Sequence, residues 1–392
     1  MPNKAVTPLR VAVLTNIVPR YRTPVFLQLA SDPRFQLRFF VSLTPELSDP
    51  LARDMLDLHH SMTLNLHLAT QTRSEGVFQR EHMPLPLGLP FDLMRFRPGI
   101  IISGDMGARS MIAWVLARLL KVPLLIWTEE TLAHDANVRG LQQRLRRFLL
   151  PRADGFLAWG KSAFNYLVER GIPKSRITYC AQAVDNAEWS SRAAAADPEA
   201  LRRQLGTKGR ICLAVGRLLP RKGFRELMVA FGMLPSHIKN AHSLVLVGDG
   251  PEQEKLAELG RELGIDNLYM VGAQSPEELA KYYRAADFMV LPSLIDVWGL
   301  VVNEAMACGA PVVSSIHAGA TEELIIDTGI GEAFDPNDQQ AFSAVLAHWL
   351  ESPPPLGKDA PRQAVNRLTF DVSAMAIIGV LEAYVGGGAH SS

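Results

Sequence analysis

Three cysteines in 392 residues, Cys180, Cys212 and Cys308, are too few and too widely spaced for a disulfide framework or a zinc site. Such cysteine usage fits a reducing compartment. A charge excess of one sign is also lacking. Lys and Arg total 40 against 40 Asp and Glu, so nothing drives the chain as a whole toward nucleic acid. Long hydrophobic runs are missing as well. Val11–Leu14 ends at Thr15-Asn16, far short of a signal-peptide core. Met111–Trp127 is interrupted by Arg118, Lys121 and Pro123, each costly in a bilayer. No stretch holds the roughly 20 apolar residues needed to span a membrane. The expectation is a cytoplasmic protein, soluble or peripheral, with no nucleic-acid partner. His59-His60 and Cys308 read as structural or incidental, and no metal site is expected.

What is present is ordinary globular composition, 48% hydrophobic and 20% charged. The length exceeds the ceiling of about 250–300 residues for a single hydrophobic core, which points to two domains. Short apolar runs alternate with helical patterns. Strands are expected at Leu9–Leu14, Gln36–Val41, Leu64–Leu68, Ile100–Ile102, Leu124–Trp127, Gly155–Ala158 and Ile177–Tyr179. After an Ala-rich break the pattern restarts at Ile211–Val215, Ser243–Val247, Leu268–Val271, Phe288–Leu291 and Pro311–Val313. Continuous apolar strands separated by helices indicate parallel sheets covered on both faces. The fold class is therefore α/β, with two doubly wound domains facing across a cleft. The boundaries expected are 1–188 for the first domain, 189–208 for a linker, 209–365 for the second domain, 366–385 for a last helix and 386–392 for a disordered tail. In such sheets ligands sit at the carboxyl ends of the strands.

Three strand-end stretches carry candidate chemistry. In Leu291–Val313, Glu304 is the sole charged residue after Gly299, set in a helical pattern that is apolar all round. A carboxylate there needs a partner, which is either a ligand or an unseen Arg or Lys. Asp296 precedes it by eight positions, and the amides of Trp298, Gly299 and Leu300 would open the helix. In Val215–Gly223, Gly216 permits a sharp turn, and Arg217 and Lys222 could converge on one anion; a solvated basic turn is the alternative. Val247–Pro251 reads as a plain strand-to-helix turn. It lacks the third glycine of a dinucleotide fingerprint.

Together these blocks resemble a family. Asp296 and Glu304, followed by EAMACGAPVV, look like the paired-acid signature of the retaining glycosyltransferases of family 4 (glycosyl transferases group 1). GRLLPRKGF resembles that family's donor-phosphate loop, and LVGDGPE and NLYMVGAQSPEELAKYYRAADFMVLPS also match in order and spacing. The match covers most of Gly209–Phe334. In the N-terminal half, Asn16–Ala30 and Ala153–Asn186 look like some members.

The resemblance implies a GT-B fold of two Rossmann-like domains, with the nucleotide-sugar donor bound by the second and the acceptor by the first. It also implies that the last helix crosses back to the first domain. Arg217 and Lys222 would clamp the diphosphate, and Glu304 would accept hydrogen bonds from the ribose. Asp296, with the Trp298–Leu300 amides, would hold the sugar and phosphate. Gly216 would shape the phosphate loop, and Val271 and Gly272 would lie against the base. The implied reaction is metal-independent hexosyl transfer with retention, from a nucleoside diphosphate sugar to a glycan or lipid-linked acceptor, in polysaccharide or glycolipid biosynthesis. No bound cofactor is implied, since the nucleotide sugar is a co-substrate. The sequence departs from the pattern in carrying Asp296 where the family usually has Glu, and Asn16-Ile17-Val18-Pro19-Arg20 where many members have a glycine-rich loop. Acceptor-side candidates are Arg20, Tyr21, Arg22, Asp105, Glu129 and Glu130, with Glu129 preferred over its neighbour. Arg139, Arg144, Arg146, Arg147 and Arg152 flank an apolar helical face, so this stretch either packs on the core or sits on an anionic membrane at the inner face. The competing readings are a non-catalytic sugar-nucleotide-binding partner, or another GT-B enzyme such as a sugar-nucleotide epimerase or a phosphorylase.

Overall fold

The computed structural model describes residues 7–43, 45–67, 82–138 and 140–385. The expected tail at 386–392, and Arg139 of the basic stretch, lie outside the described residues. The chain forms two units, Met1–Gln182 with Phe370–Ser392, and Ala183–Thr369.

The first unit contains strands β1 (Leu9–Thr15), β2 (Phe35–Val41), β3 (Leu58–His60), β4 (Leu64–His67), β5 (His82–Leu85), β6 (Ile100–Gly104), β7 (Leu124–Thr128), β8 (Gly155–Trp159) and β9 (Ile177–Cys180). Seven of them form a sheet in the order β3-β2-β1-β6-β7-β8-β9, and every neighbouring pair is parallel. Alternating side chains feed two cores. Val11, Val13, Ile100 and Ile102 pack on one face, and Ala12, Leu14, Ile101 and Ile126 on the other. This is why the strands read as unbroken apolar runs. Two expectations need adjusting. Leu64–His67 pairs antiparallel with His82–Leu85 outside the main sheet. The edge strand β3 has three residues, two half-buried and one exposed, so it leaves no apolar run to read.

The second unit contains β10 (Ile211–Val215), β11 (Ser243–Val247), β12 (Leu268–Met270), β13 (Phe288–Leu291), β14 (Val312–Ser315) and β15 (Gly331–Phe334). These form a parallel sheet ordered β12-β11-β10-β13-β14-β15. Both sheets therefore reverse their strand order, at β1/β6 in the first unit and at β10/β13 in the second. A crevice opens at such a reversal on the carboxyl side.

The stretch 189–208, read as a linker, is instead built into the second unit. Helix Asn186–Ala194 is capped by the Asp185 carboxylate on the Glu188 amide, and helix Pro198–Leu205 by Asp197 on Glu199 and Ala200. Trp189, Ala193 and Leu201 are buried. The alanines hid this packing because they carry little apolar periodicity.

Residues Asp359–Glu382 are long and apolar enough to cross a membrane by length and composition alone. They are two helices, Asp359–Val365 in the second unit and Phe370–Glu382 in the first. Ala374, Ile377 and Leu381 of the latter are buried in the first unit's core, and Ser373 Oγ donates to the Ala181 carbonyl at 2.8 Å. It is a core helix.

Candidate functional site

In the second unit, the loop after β10 runs directly into the reversal crevice. Its course is fixed by glycines. Gly223 has φ 69°, and a Cβ there would stand 1.9 Å from the Pro292 carbonyl oxygen. At Gly248 (φ 137°) a Cβ would stand 1.9 Å from the Gly216 oxygen. Val247–Pro251 is thus a turn, as read, and its glycine lets one loop rest on another's backbone. Hydrogen bonds lock the stack. Gly216 N–H donates to the Val247 carbonyl at 3.0 Å, Leu218 N–H to Asp249 at 2.7 Å, and Leu294 N–H to Arg221 at 2.9 Å.

This packing brings together Lys222 and Asp296, 74 positions apart. Lys222 Nζ lies 2.5 Å from Asp296 Oδ2, with the lysine side chain 20% and the aspartate side chain 9% exposed. Asp296 is held from behind. Its N–H donates to the His317 carbonyl at 3.2 Å, and its own carbonyl accepts from Gly319 at 3.1 Å. Arg217 is exposed and forms no ion pair among the described residues, so it is not drawn into the Lys222–Asp296 contact.

Helix Val301–Ala307 begins after Gly299 (φ 97°) and Leu300. Trp298 is buried, its Nε1 donating to Asn303 Oδ1 at 2.8 Å, so its ring serves the core. Glu304 is half-buried at its rim, and its Oε2 accepts from the Tyr283 hydroxyl at 2.9 Å. Burial pushes the Glu304 carboxyl up to about 7, against the Tyr283 hydrogen bond and the nearby Arg192 charge, which both act downward. The Arg or Lys that could have neutralised Glu304 is thus Arg192, which is committed to Glu188 at 2.6 Å and Glu277 at 3.1 Å. At the neighbouring strand end, the Gly272 carbonyl accepts from Gly248 N–H at 2.8 Å, and space beside the Gly272 Cα is open. Val271 beside it is partly buried.

In the first unit the reversal point gathers a different set. Arg109, 6% exposed, donates to Asn16 Oδ1 at 2.5 Å, to Asp105 Oδ2 at 2.6 Å and to the Gly104 carbonyl at 2.8 Å. Asp105 adopts φ 67° and stays half-exposed. Arg22 is buried. It donates to Glu129 Oε1 at 2.5 Å and to Gln182 Oε1 at 2.9 Å, with its guanidinium 3.3 Å from the Trp159 ring centroid. Desolvation and the Glu129 charge push Tyr21 up to about 12. Arg20 is exposed and forms no ion pair among the described residues. Glu130 turns inward to His134 and Arg146, and Arg146 also reaches Asp135 at 2.8 Å. One arginine of the basic stretch is therefore a core anchor, while Arg144 and Arg147 are exposed.

Sequence reasoning missed Arg109, Tyr283 and Arg192. Arg109 had a signal, as the lone charge in the first two turns of an apolar helix. Tyr283 had none, because a tyrosine on the inner face of an amphipathic helix reads as core. Among the described residues, no group of three or more His, Cys, Asp or Glu side chains could hold a metal ion.

The sequence profile of glycosyl transferases group 1 matches residues 197–366, nearly the whole second unit. A D-inositol 3-phosphate glycosyltransferase of Segniliparus rotundus is 28% identical over 300 residues, covering 71% of this chain and 65% of that protein. The O-antigen chain mannosyltransferase B of Escherichia coli is 35% identical over 152 residues, covering 38% of each. These matches span less than two thirds of either relative. Among solved structures, Anabaena Alr3699/HepE in complex with UDP superposes with a TM-score of 0.71 at 17% identity, covering 96% of this chain and 100% of that one. At that identity it establishes the fold, which is the GT-B type in both units. The family match lies within the second unit, which is similar to glycosyl transferases group 1.

Proposed function

We propose that the protein is a retaining glycosyltransferase that moves a hexose-type sugar from a nucleoside diphosphate sugar to a glycan or lipid-linked acceptor without a metal ion. The observation that carries this reading is the Lys222–Asp296 contact at the strand-order reversal of a group 1 domain, with Glu304 on the adjoining helix. Lys222 and the unpaired Arg217 offer positive potential to a diphosphate, and their chief effect is on the charge that develops as it leaves. Gly216, Gly299 and Leu300 let backbone approach the phosphates, beside the buried Trp298. Glu304 accepts from the ribose hydroxyls, Asp296 contacts the donor sugar, and Val271 and Gly272 flank the base.

In the transfer step the C1–oxygen bond to the diphosphate breaks, and the acceptor hydroxyl bonds to C1 on the same face. The acceptor proton passes to a phosphate oxygen, so no protein nucleophile takes part. Positioning supplies the second large contribution. On the acceptor side, Asp105 and Glu129 present carboxylates oriented by Arg109 and Arg22, and Arg20 provides an exposed cation. Arg144, Arg147 and the exposed Leu141 favour contact with an anionic membrane at its inner face, where a lipid-linked acceptor would reside.

Incubating the protein with UDP-, GDP- and ADP-sugars, excess EDTA and an acceptor panel tests this directly. Release of one nucleoside diphosphate, with a product that keeps the donor's anomeric configuration by NMR, is the expected result. An inverted product, or turnover abolished by EDTA and restored by a divalent cation, would contradict it.

A further inference from the structure

Among the described residues, Glu304 uses one of its two carboxylate oxygens in a hydrogen bond. Oε2 accepts from the Tyr283 hydroxyl at 2.9 Å, and Oε1 makes no hydrogen bond to the described residues. Tyr283 sits on helix Pro276–Ala285, is fully buried, and meets the Trp189 ring edge-on at a centroid distance of 5.8 Å. Trp189 is itself fixed, since its carbonyl accepts from Cys308 Sγ at 3.5 Å, one turn beyond Glu304. The Arg192 guanidinium lies 5.4 Å from the Trp189 ring centroid. Tyr283 and Arg192 are thus the titratable and charged groups that act on Glu304, and the Glu304 charge in turn acts on Cys308.

We propose that Tyr283 is a positioning residue, which pins one oxygen of Glu304 so that the other is presented in a single orientation to the ribose diol of a nucleoside diphosphate. This rests on the donor reading above. A free glutamate samples several staggered rotamers, and a contact that fixes one of them removes an ordering cost from ligand binding. The hydroxyl also favours the ionised carboxylate, which is the form that accepts two ribose hydrogen bonds. Tyr283 stays protonated and able to donate, because its own ionisation is pushed well above the usual phenol range by burial and by the Glu304 charge.

Tyr283→Phe removes the donor and keeps the ring. The test is calorimetric titration of wild type, Tyr283→Phe, Glu304→Ala and the double variant with UDP, GDP and ADP. Each nucleotide is paired with its 2′-deoxy counterpart, from about pH 6 to about pH 9. Wild type should prefer the ribonucleotide and bind it better as pH rises through about 7. Tyr283→Phe should weaken ribonucleotide binding about tenfold near neutrality, shrink the ribose preference and move the pH midpoint upward. The double variant should bind like Glu304→Ala alone, because the tyrosine acts through the carboxylate. Tyr283→Phe with an unchanged ribose preference and midpoint, or losses that simply add in the double variant, would overturn the proposal and leave the donor reading standing. A wild type that binds nucleotide with no ribose preference would overturn both.

Discussion

Glu304 is the residue at which environment matters most. Its carboxyl titrates near 7 in the folded chain against an ordinary value of 4.5. A group raised on folding contributes stability that is present below the unfolded value and is lost as pH rises through the folded value. The window is therefore about 4.5 to 7. Glu304→Gln cannot ionise, so its melting temperature should gain on wild type as pH is raised across that window, read by calorimetry. Lys222 is the complementary case. Lys222→Ala should lower turnover about 100-fold through weaker stabilisation of the leaving diphosphate. It should also lose about 1–3 kcal/mol of stability, because Asp296 is left buried without its partner. Adding Asp296→Ala should restore the stability and not the turnover, measured by urea unfolding beside steady-state kinetics.

At the scale of elements, the site depends on loops that pack backbone on backbone. Gly223→Ala places a methyl against the Pro292 carbonyl at a left-handed φ. It should cost more than about 2 kcal/mol and lower turnover too, because Lys222 is its neighbour. Thermal melts and kinetics on the same preparation check both. The glycine spacing of these loops was legible in the sequence, as were eleven strands of the two main sheets, because buried parallel strands leave apolar runs. The edge strands β3 and β15 were not, being short and partly exposed. The packing of residues 189–208 into the second unit was hidden by alanine. The Lys222–Asp296 pairing could not be read either, since a contact 74 positions apart needs the sheet order first. Nor could the commitment of Arg22 to Glu129, which turns a free cation into a buried, neutralised pair.

Over the whole molecule, the chain leaves the first unit at Gln182 and returns to it at Phe370. The helix Phe370–Glu382 packs on β9 and on helix Thr23–Ser31. Ile377→Ala should therefore destabilise the first unit by about 2–5 kcal/mol. Nucleotide affinity, a property of the second unit, should stay at the wild-type value, and chemical unfolding with parallel calorimetric titration separates the two. With two cores, unfolding need not be a single transition.

The account turns on whether the second unit binds a nucleoside diphosphate sugar through Lys222 and Glu304. Calorimetric titration of wild type, Lys222→Ala and Glu304→Ala with UDP-, GDP- and ADP-sugars, in EDTA, addresses this most directly. One nucleotide class should bind to wild type, with affinity reduced about tenfold or more in each folded variant. Binding of a donor at wild-type affinity by both variants, or of none by the wild type, would contradict the account.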